Sequence, residues 1–169
     1  MNLQTIDEDG QTIGEIDKIA AHQNGGVWHR AISVFLFNSA GQLLIQQRAQ
    51  SKYHFAGLWA NSCCSHPEVG ESIEQAAARA MMVELGIKTN VKEVGMVRYE
   101  AHDPISGRTE REHDHILVGQ YNGEFFPDPE EVSSLGWIDL PLLMAEIEGQ
   151  PERFAPWLPI ILKSGLIQA

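Results

Sequence analysis

The chain has 169 residues, 43% of them hydrophobic and 21% charged, with a formal net charge of -11 at pH 7. That length suits one domain able to bury roughly two-thirds of the surface its unfolded form exposes, and the composition has no bias toward disorder. The charge argues against a nucleic-acid groove or an acidic membrane surface as main partner, but a small anionic ligand is still possible, because charges beyond about 10 Å are screened while a local cluster of cations is not.

The start, Met1 to Gly10, is acidic and lacks the basic and apolar segments of a secretory signal. No apolar run approaches the roughly 18 residues of a membrane span. The expectation is a soluble, cytoplasmic protein. Its two cysteines, Cys63 and Cys64, are adjacent, which is poor geometry for a mutual disulfide, and a reducing compartment keeps both as thiols.

Leu3 to Ile6 and Thr12 to Ile16, separated by Asp9-Gly10, read as a short hairpin. Lys18 to His22 follow, and Gly25-Gly26 stop any helix, so a loop is expected before the next strand. His22 and His29 taken singly are more often surface or core residues than ligands. Arg30 to Phe37, a turn at Asn38 to Gly41, and Gln42 to Gln47 read as a second hairpin. Arg48 and Lys52 lie just beyond it, and by themselves are solvated surface charges.

Asn61-Ser62-Cys63-Cys64-Ser65-His66-Pro67 brings a thiol, an imidazole and a fixed bend together just before a helix. Adjacent cysteines can be small buried apolar residues, while a thiol beside a metal-type ligand suggests chemistry. Ser72 with Gln75 forms a capping box, Ala76 to Ala78 favour helix, and Gly86 stands at the C′ position, so the spacing predicts a helix over 73–85. Glu84 falls in its last turn, where the helix dipole disfavours an acid unless a cation is near.

Val91 to Glu100, a turn at His102 to Gly107, and Arg108 to Tyr121 read as two further strands. Glu110 and Glu112 share a face about 7 Å apart along the chain. Ile116 and Val118 have the same parity, so that face is predicted to turn inward, where a metal bridging both carboxylates would relieve their repulsion. Val132 to Ile138 is a last strand, Pro141 to Ile147 a short helix, and Ala155 to Leu162 a final helix with Pro156 in its first turn and Trp157 after it. Trp157 alone can also be read as a core aromatic. Together these elements predict one α+β domain over residues 1–169, a mixed β-sheet flanked by helices.

In their order along the chain, these residues resemble the type 1 isopentenyl diphosphate isomerases, which have the Nudix fold. The likeness runs from Lys18 to His22 through His29, Arg48, Lys52 and the Asn61 to Pro67 run. It continues with Glu84-Leu85-Gly86, Arg98-Tyr99, Glu110 to His113 and Phe154 to Trp157, so it covers nearly the whole chain. Glu71, Arg79 and Glu84 to Ile87 stand at the spacings of a worn Nudix box.

The resemblance implies isomerisation of isopentenyl to dimethylallyl diphosphate, in isoprenoid biosynthesis, by adding one proton and removing another. It makes Cys64 and Glu112 the two acid/base groups, with Tyr99 beside Glu112 and Trp157 offering its π face to a cationic intermediate. It makes His22, His29, His66, Glu110 and Glu112 the ligands of one divalent metal, for which magnesium, manganese and zinc remain open. A second magnesium, carried on the diphosphate, would meet Glu84 and the backbone carbonyl of Cys64, with Lys18, Arg48 and Lys52 around the phosphate oxygens.

The chain departs from the family where an arginine is usual and Ala80 stands; Arg79 beside it is expected to point about 100° away. It also reads Phe55-Ala56-Gly57 where a proline is common. The alternatives are a Nudix hydrolase of a nucleoside or sugar diphosphate and a silent diphosphate-binding module. A hydrolase would carry magnesium-binding glutamates where this chain has Ala80 and Val83.

Overall fold

The computed structural model describes residues 1–168. Asn2–Ile6 (β1) and Thr12–Asp17 (β2) form the expected antiparallel hairpin. Where a loop was predicted, Lys18–Ala21 makes a single helical turn (α1), because the Asp17 side chain accepts from the Ile19 and Ala20 amides and caps it. The chain then turns through Gly25 and Gly26, both at positive φ. A Cβ on Gly26 would meet the Thr109 carbonyl oxygen at 2.7 Å, so only glycine lets this turn settle onto the rest of the sheet.

His29–Phe37 (β3) is the hub of the fold. It meets β1 at His29, and further along it meets two later strands, Leu43–Arg48 (β4) and Cys63–Ser65 (β6). The predicted hairpin between β3 and β4 forms but is short: they pair antiparallel only at Phe37 and Leu43, because β6 takes the middle of β3. β4 instead pairs with Trp59–Ala60 (β5) and with Val132–Ile138 (β9). Both β5 and β6 are too short to show a periodicity in the sequence.

The helix over Ile73–Leu85 (α2) has the bounds the capping box implied, with Gly86 left-handed at its end. Val91–His102 (β7) and Thr109–Gln120 (β8) pair antiparallel. β8 also runs parallel to β3, setting His29 opposite Glu112 and Phe37 opposite Gln120. The sheet is therefore mixed, with nine strands among the described residues. Leu140–Gly149 (α3) and Trp157–Lys163 (α4) complete the chain, and Pro156 is the residue before α4 rather than part of its first turn.

Strand alternation divides the core. Ile32, Val34 and Leu36 of β3 pack with Cys63 and Leu117 against α2. Phe35 and Phe37 pack with Ile116 and the residues of α3 and α4, including Leu143, Trp157 and Ile161. Two layers of helices thus cover the two faces. Ile116 is fully buried on the second face, and period-2 alternation puts Asp114, Glu112 and Glu110 on that same face, as the parity predicted.

Candidate active site and metal centre

Among the described residues, the ligand atoms of His22, His29, His66 and Glu112 all lie within 4.8 Å of one another, and so do those of His22, His54 and Glu110. Four of the five predicted metal ligands thus meet in one group. The fifth, Glu110, meets a histidine the sequence reading passed over, and His22 is common to both.

The backbone sets two of the rings. His22 Nδ1 lies 2.7 Å from the Lys18 carbonyl oxygen and His29 Nδ1 lies 2.7 Å from that of Val27. A carbonyl only accepts, so each Nδ1 carries the proton and each Nε2 keeps its lone pair. Both Nε2 atoms are buried without a hydrogen-bond partner. His29 Nε2 nevertheless stands 3.6 Å from Glu112 Oε1, which also faces His66 Nε2 at 2.9 Å. Lone pairs converging on a carboxylate call for a cation between them. Backbone-fixed imidazoles with free Nε2 atoms are how metal-binding histidines are held, so this buried group can hold a divalent metal.

Burial, then the neighbouring His29, lowers the His22 pKa to about 4, and burial lowers His66 to about 3. Both rings are therefore neutral at physiological pH, as ligands must be. Burial works to raise Glu112, but the His29 and His66 rings, where they present a proton to it, hold it well below the ordinary carboxylate range, and with bare nitrogens a bound cation would take that place. Glu110 goes the other way, pushed well up by burial and by the Glu112 charge. The Tyr99 hydroxyl lies 2.5 Å from Glu112 Oε2 and 3.0 Å from Glu110 Oε2, bridging the pair with one proton.

These groups open into a cavity of about 140 Å³, and Cys64, Trp157, Lys18, Arg48, Lys52 and Glu84 also face it. On β6, Cys63 points into the α2 core while Cys64 points to the opposite face. The Cys64 thiol donates to Asn61 Oδ1 at 3.0 Å and lies 3.6 Å from Ser33 Oγ. Burial, with the nearby Asp114 charge, pushes its pKa well up, so it is a thiol rather than a thiolate. The same Asn61 oxygen accepts the Trp157 indole N–H at 3.0 Å. Asn61 therefore aligns two of the predicted catalytic side chains.

At the polar end, Arg48 donates to the carbonyl oxygens of His54 and Phe55, each at 3.1 Å, and its guanidinium carbon lies 5.4 Å from the Trp157 ring centroid. Lys52 is ion-paired with Glu131, which also lines the cavity. Lys18 has its pKa lowered by burial and then by Lys52. Glu84 accepts from Gln46 Nε2 at 2.8 Å, and burial raises its pKa. Arg79, expected to turn away, reaches the cavity wall. It is gripped by Glu71 at 2.7 and 2.9 Å and donates to the His66 carbonyl at 2.9 Å, which anchors the loop carrying that imidazole. Ala80 and Val83 also face the cavity and contribute no carboxylate there.

The NUDIX domain matches residues 27–158. An isopentenyl-diphosphate Delta-isomerase of Nocardia farcinica is 43% identical over 163 residues, covering 96% of this chain and 93% of its own length. The chain belongs to the isopentenyl-diphosphate Delta-isomerase family. The isomerase of Streptomyces coelicolor is 46% identical over 161 residues, covering 95% of this chain and 81% of that protein. A Deinococcus radiodurans crystal structure superposes with a TM-score of 0.80 over 97% of this chain and 98% of its own, and at 22% identity it attests the Nudix fold alone. The likeness to these isomerases favours isomerase over hydrolase. His54, Asn61, Asp114 and Glu131 are the site residues sequence reasoning missed. Of these, Asp114 carried a signal, since it continues the alternation of Glu110 and Glu112, and Asn61 stood in the run from Asn61 to Pro67 without a role of its own.

Proposed function

We propose that the cavity binds isopentenyl diphosphate and interconverts it with dimethylallyl diphosphate, and that Cys64 and Glu112 exchange the two protons. The carrying observation is that the Cys64 thiol and the Glu112–Tyr99 pair open into one cavity that also presents Lys18, Arg48 and Lys52. In the reaction the alkene's π electrons take a proton from one group at the terminal carbon, leaving positive charge on the tertiary carbon. The electrons of a C–H bond on the other neighbouring carbon then form the new double bond as its proton passes to the second group. A protonated thiol and an ionised carboxylate bridged to a phenol supply the required donor and acceptor sites. The buried Trp157 ring can stabilise the cationic carbon through its π face, by about 2 kcal/mol when dry.

His22, His29, His66, Glu110 and Glu112 would hold one divalent ion, magnesium, manganese or zinc. Its positive charge would keep both carboxylates ionised and fixed. Glu84 and the Cys64 carbonyl would meet a second magnesium carried by the diphosphate. With free thiols and an anionic small-molecule substrate, we place the enzyme in the cytoplasm, without a nucleic-acid partner. Among the described residues no helix is long and apolar enough to cross a membrane.

An epoxide analogue of the substrate tests the assignment. Opened at its strained ring, it should alkylate Cys64, and peptide mapping should find the adduct there. Cys64→Ala should lose about 10² to 10⁴ in kcat, while Cys63→Ala, which only trims the α2 core, should stay within about tenfold. An adduct on Cys63, or normal turnover by Cys64→Ala, would overturn it.

A further inference from the structure

His54 is buried and has no role in the reading above. Its Nε2 lies 2.5 Å from Glu110 Oε1, its Nδ1 is buried without a partner, and its ring stands 5.0 Å from that of His22. The loop is built to put it there. Arg48 holds the His54 and Phe55 carbonyls, the Phe55 amide donates to Asp103 Oδ2 at 2.9 Å, and Phe55 sits at a φ of 48°, unusual for a bulky residue. Backbone in so unfavourable a conformation persists where surrounding contacts impose it, and such places cluster at functional sites.

The His22, His54, Glu110 group and the His22, His29, His66, Glu112 group share His22, though their donors do not all lie within 4.8 Å of one another. His22 Nε2 offers a single lone pair, so it cannot serve two ions at once, and one ion filling both groups would draw their donors together into one centre. Neighbouring donors around an octahedral ion bound at about 2.1 Å stand about 3 Å apart. The donor pairs here, at 2.5, 2.9 and 3.6 Å, bracket that spacing.

We propose that His54 is a sixth protein donor of the divalent-metal centre, giving four imidazole nitrogens and two carboxylates. Such a set selects a nitrogen-preferring ion such as zinc or cobalt over magnesium. It also leaves no position open for substrate, so the ion acts by fixing Glu110 and Glu112. This inference rests on the metal site proposed above.

X-ray absorption on the zinc-loaded full chain, together with zinc affinity by chelator competition, tests it. The unaltered protein should show four imidazoles, and His54→Ala three, with affinity lower by more than about 100-fold. That exceeds the 10- to 100-fold typical of a residue that only hydrogen-bonds a ligand. His54→Gln keeps an amide donor for Glu110 and should not restore affinity, and His29→Ala should likewise lose one imidazole. Three imidazoles in the unaltered protein, an unchanged count in His54→Ala, or rescue by His54→Gln would overturn the role of His54 and leave the metal site standing. Failure of the unaltered protein to take up zinc would overturn the role of His54, and failure to take up zinc, manganese or magnesium would remove both.

Discussion

Asn61→Ala should damage stability and turnover together, because one side chain serves four partners. Its Nδ2 donates to the carbonyls of Val34 and Cys63 at 3.1 and 3.0 Å, and its Oδ1 accepts from the Trp157 indole and the Cys64 thiol, each at 3.0 Å. Removing the amide strands the indole N–H in a nearly dry position, at a cost of about 1 to 3 kcal/mol. The two carbonyls add about 1 kcal/mol each, and the thiol, a weak donor, adds little. The sum is about 3 to 5 kcal/mol, a large part of the 5 to 15 kcal/mol typical of a domain. Urea titration at fixed metal concentration should lower the unfolding midpoint with the slope unchanged. kcat should fall while KM changes less, since Lys18, Arg48 and Lys52 are untouched. Asn61→Asp keeps the Oδ1 acceptor and should retain more turnover. A stability loss below about 1 kcal/mol with near-normal kcat would refute the claim that Asn61 aligns the thiol and the indole.

Glu131→Gln should free Lys52 for the diphosphate. A partly buried ion pair at the cavity rim is worth about 1 kcal/mol, so KM should fall by up to about fivefold, and a raised KM in steady-state assays would show that Glu131 orients Lys52 productively. Glu110 gives a prediction about pH. Its pKa is raised in the metal-free fold, so the native state keeps its proton above the pH where the unfolded chain releases it, and stability falls as pH rises through that window. Metal-free Glu110→Gln should therefore gain melting temperature relative to the unaltered protein as pH goes from about 4.5 upward. With metal bound the substitution should destabilise instead. A constant difference across pH would contradict the direction of the shift.

Local chemistry made parts of this molecule legible in the sequence. The Ser72–Gln75 box and Gly86 fixed both ends of α2, and the alternation from Glu110 to Val118 identified the inward face of β8, because both signals lie within a few residues. The Cys63/Cys64 split follows from the same alternation. What stayed hidden depends on distant partners. β6 is three residues long and exists only by pairing with β3, and this pairing also limits the expected hairpin to its turn end. The α1 turn depends on the Asp17 cap. His54 sits in a loop whose backbone is shaped by Arg48 and Asp103, residues 6 and 49 positions away, and no spacing rule links it to Glu110. Asn61 stood in the most specific stretch of the sequence, but its bond to Trp157 spans 96 residues.

Proton exchange with solvent separates isomerisation at Cys64 from hydrolysis. The group that gives its proton to the alkene must recover one from water before the next turnover, so the pure protein incubated with isopentenyl diphosphate and magnesium in deuterated water should yield dimethylallyl diphosphate with deuterium in a methyl group, readable by mass spectrometry and NMR. Cys64→Ala should lose this incorporation and Cys63→Ala should keep it. Release of inorganic phosphate without an allylic product, or a deuterated product formed equally well by Cys64→Ala, would contradict the account.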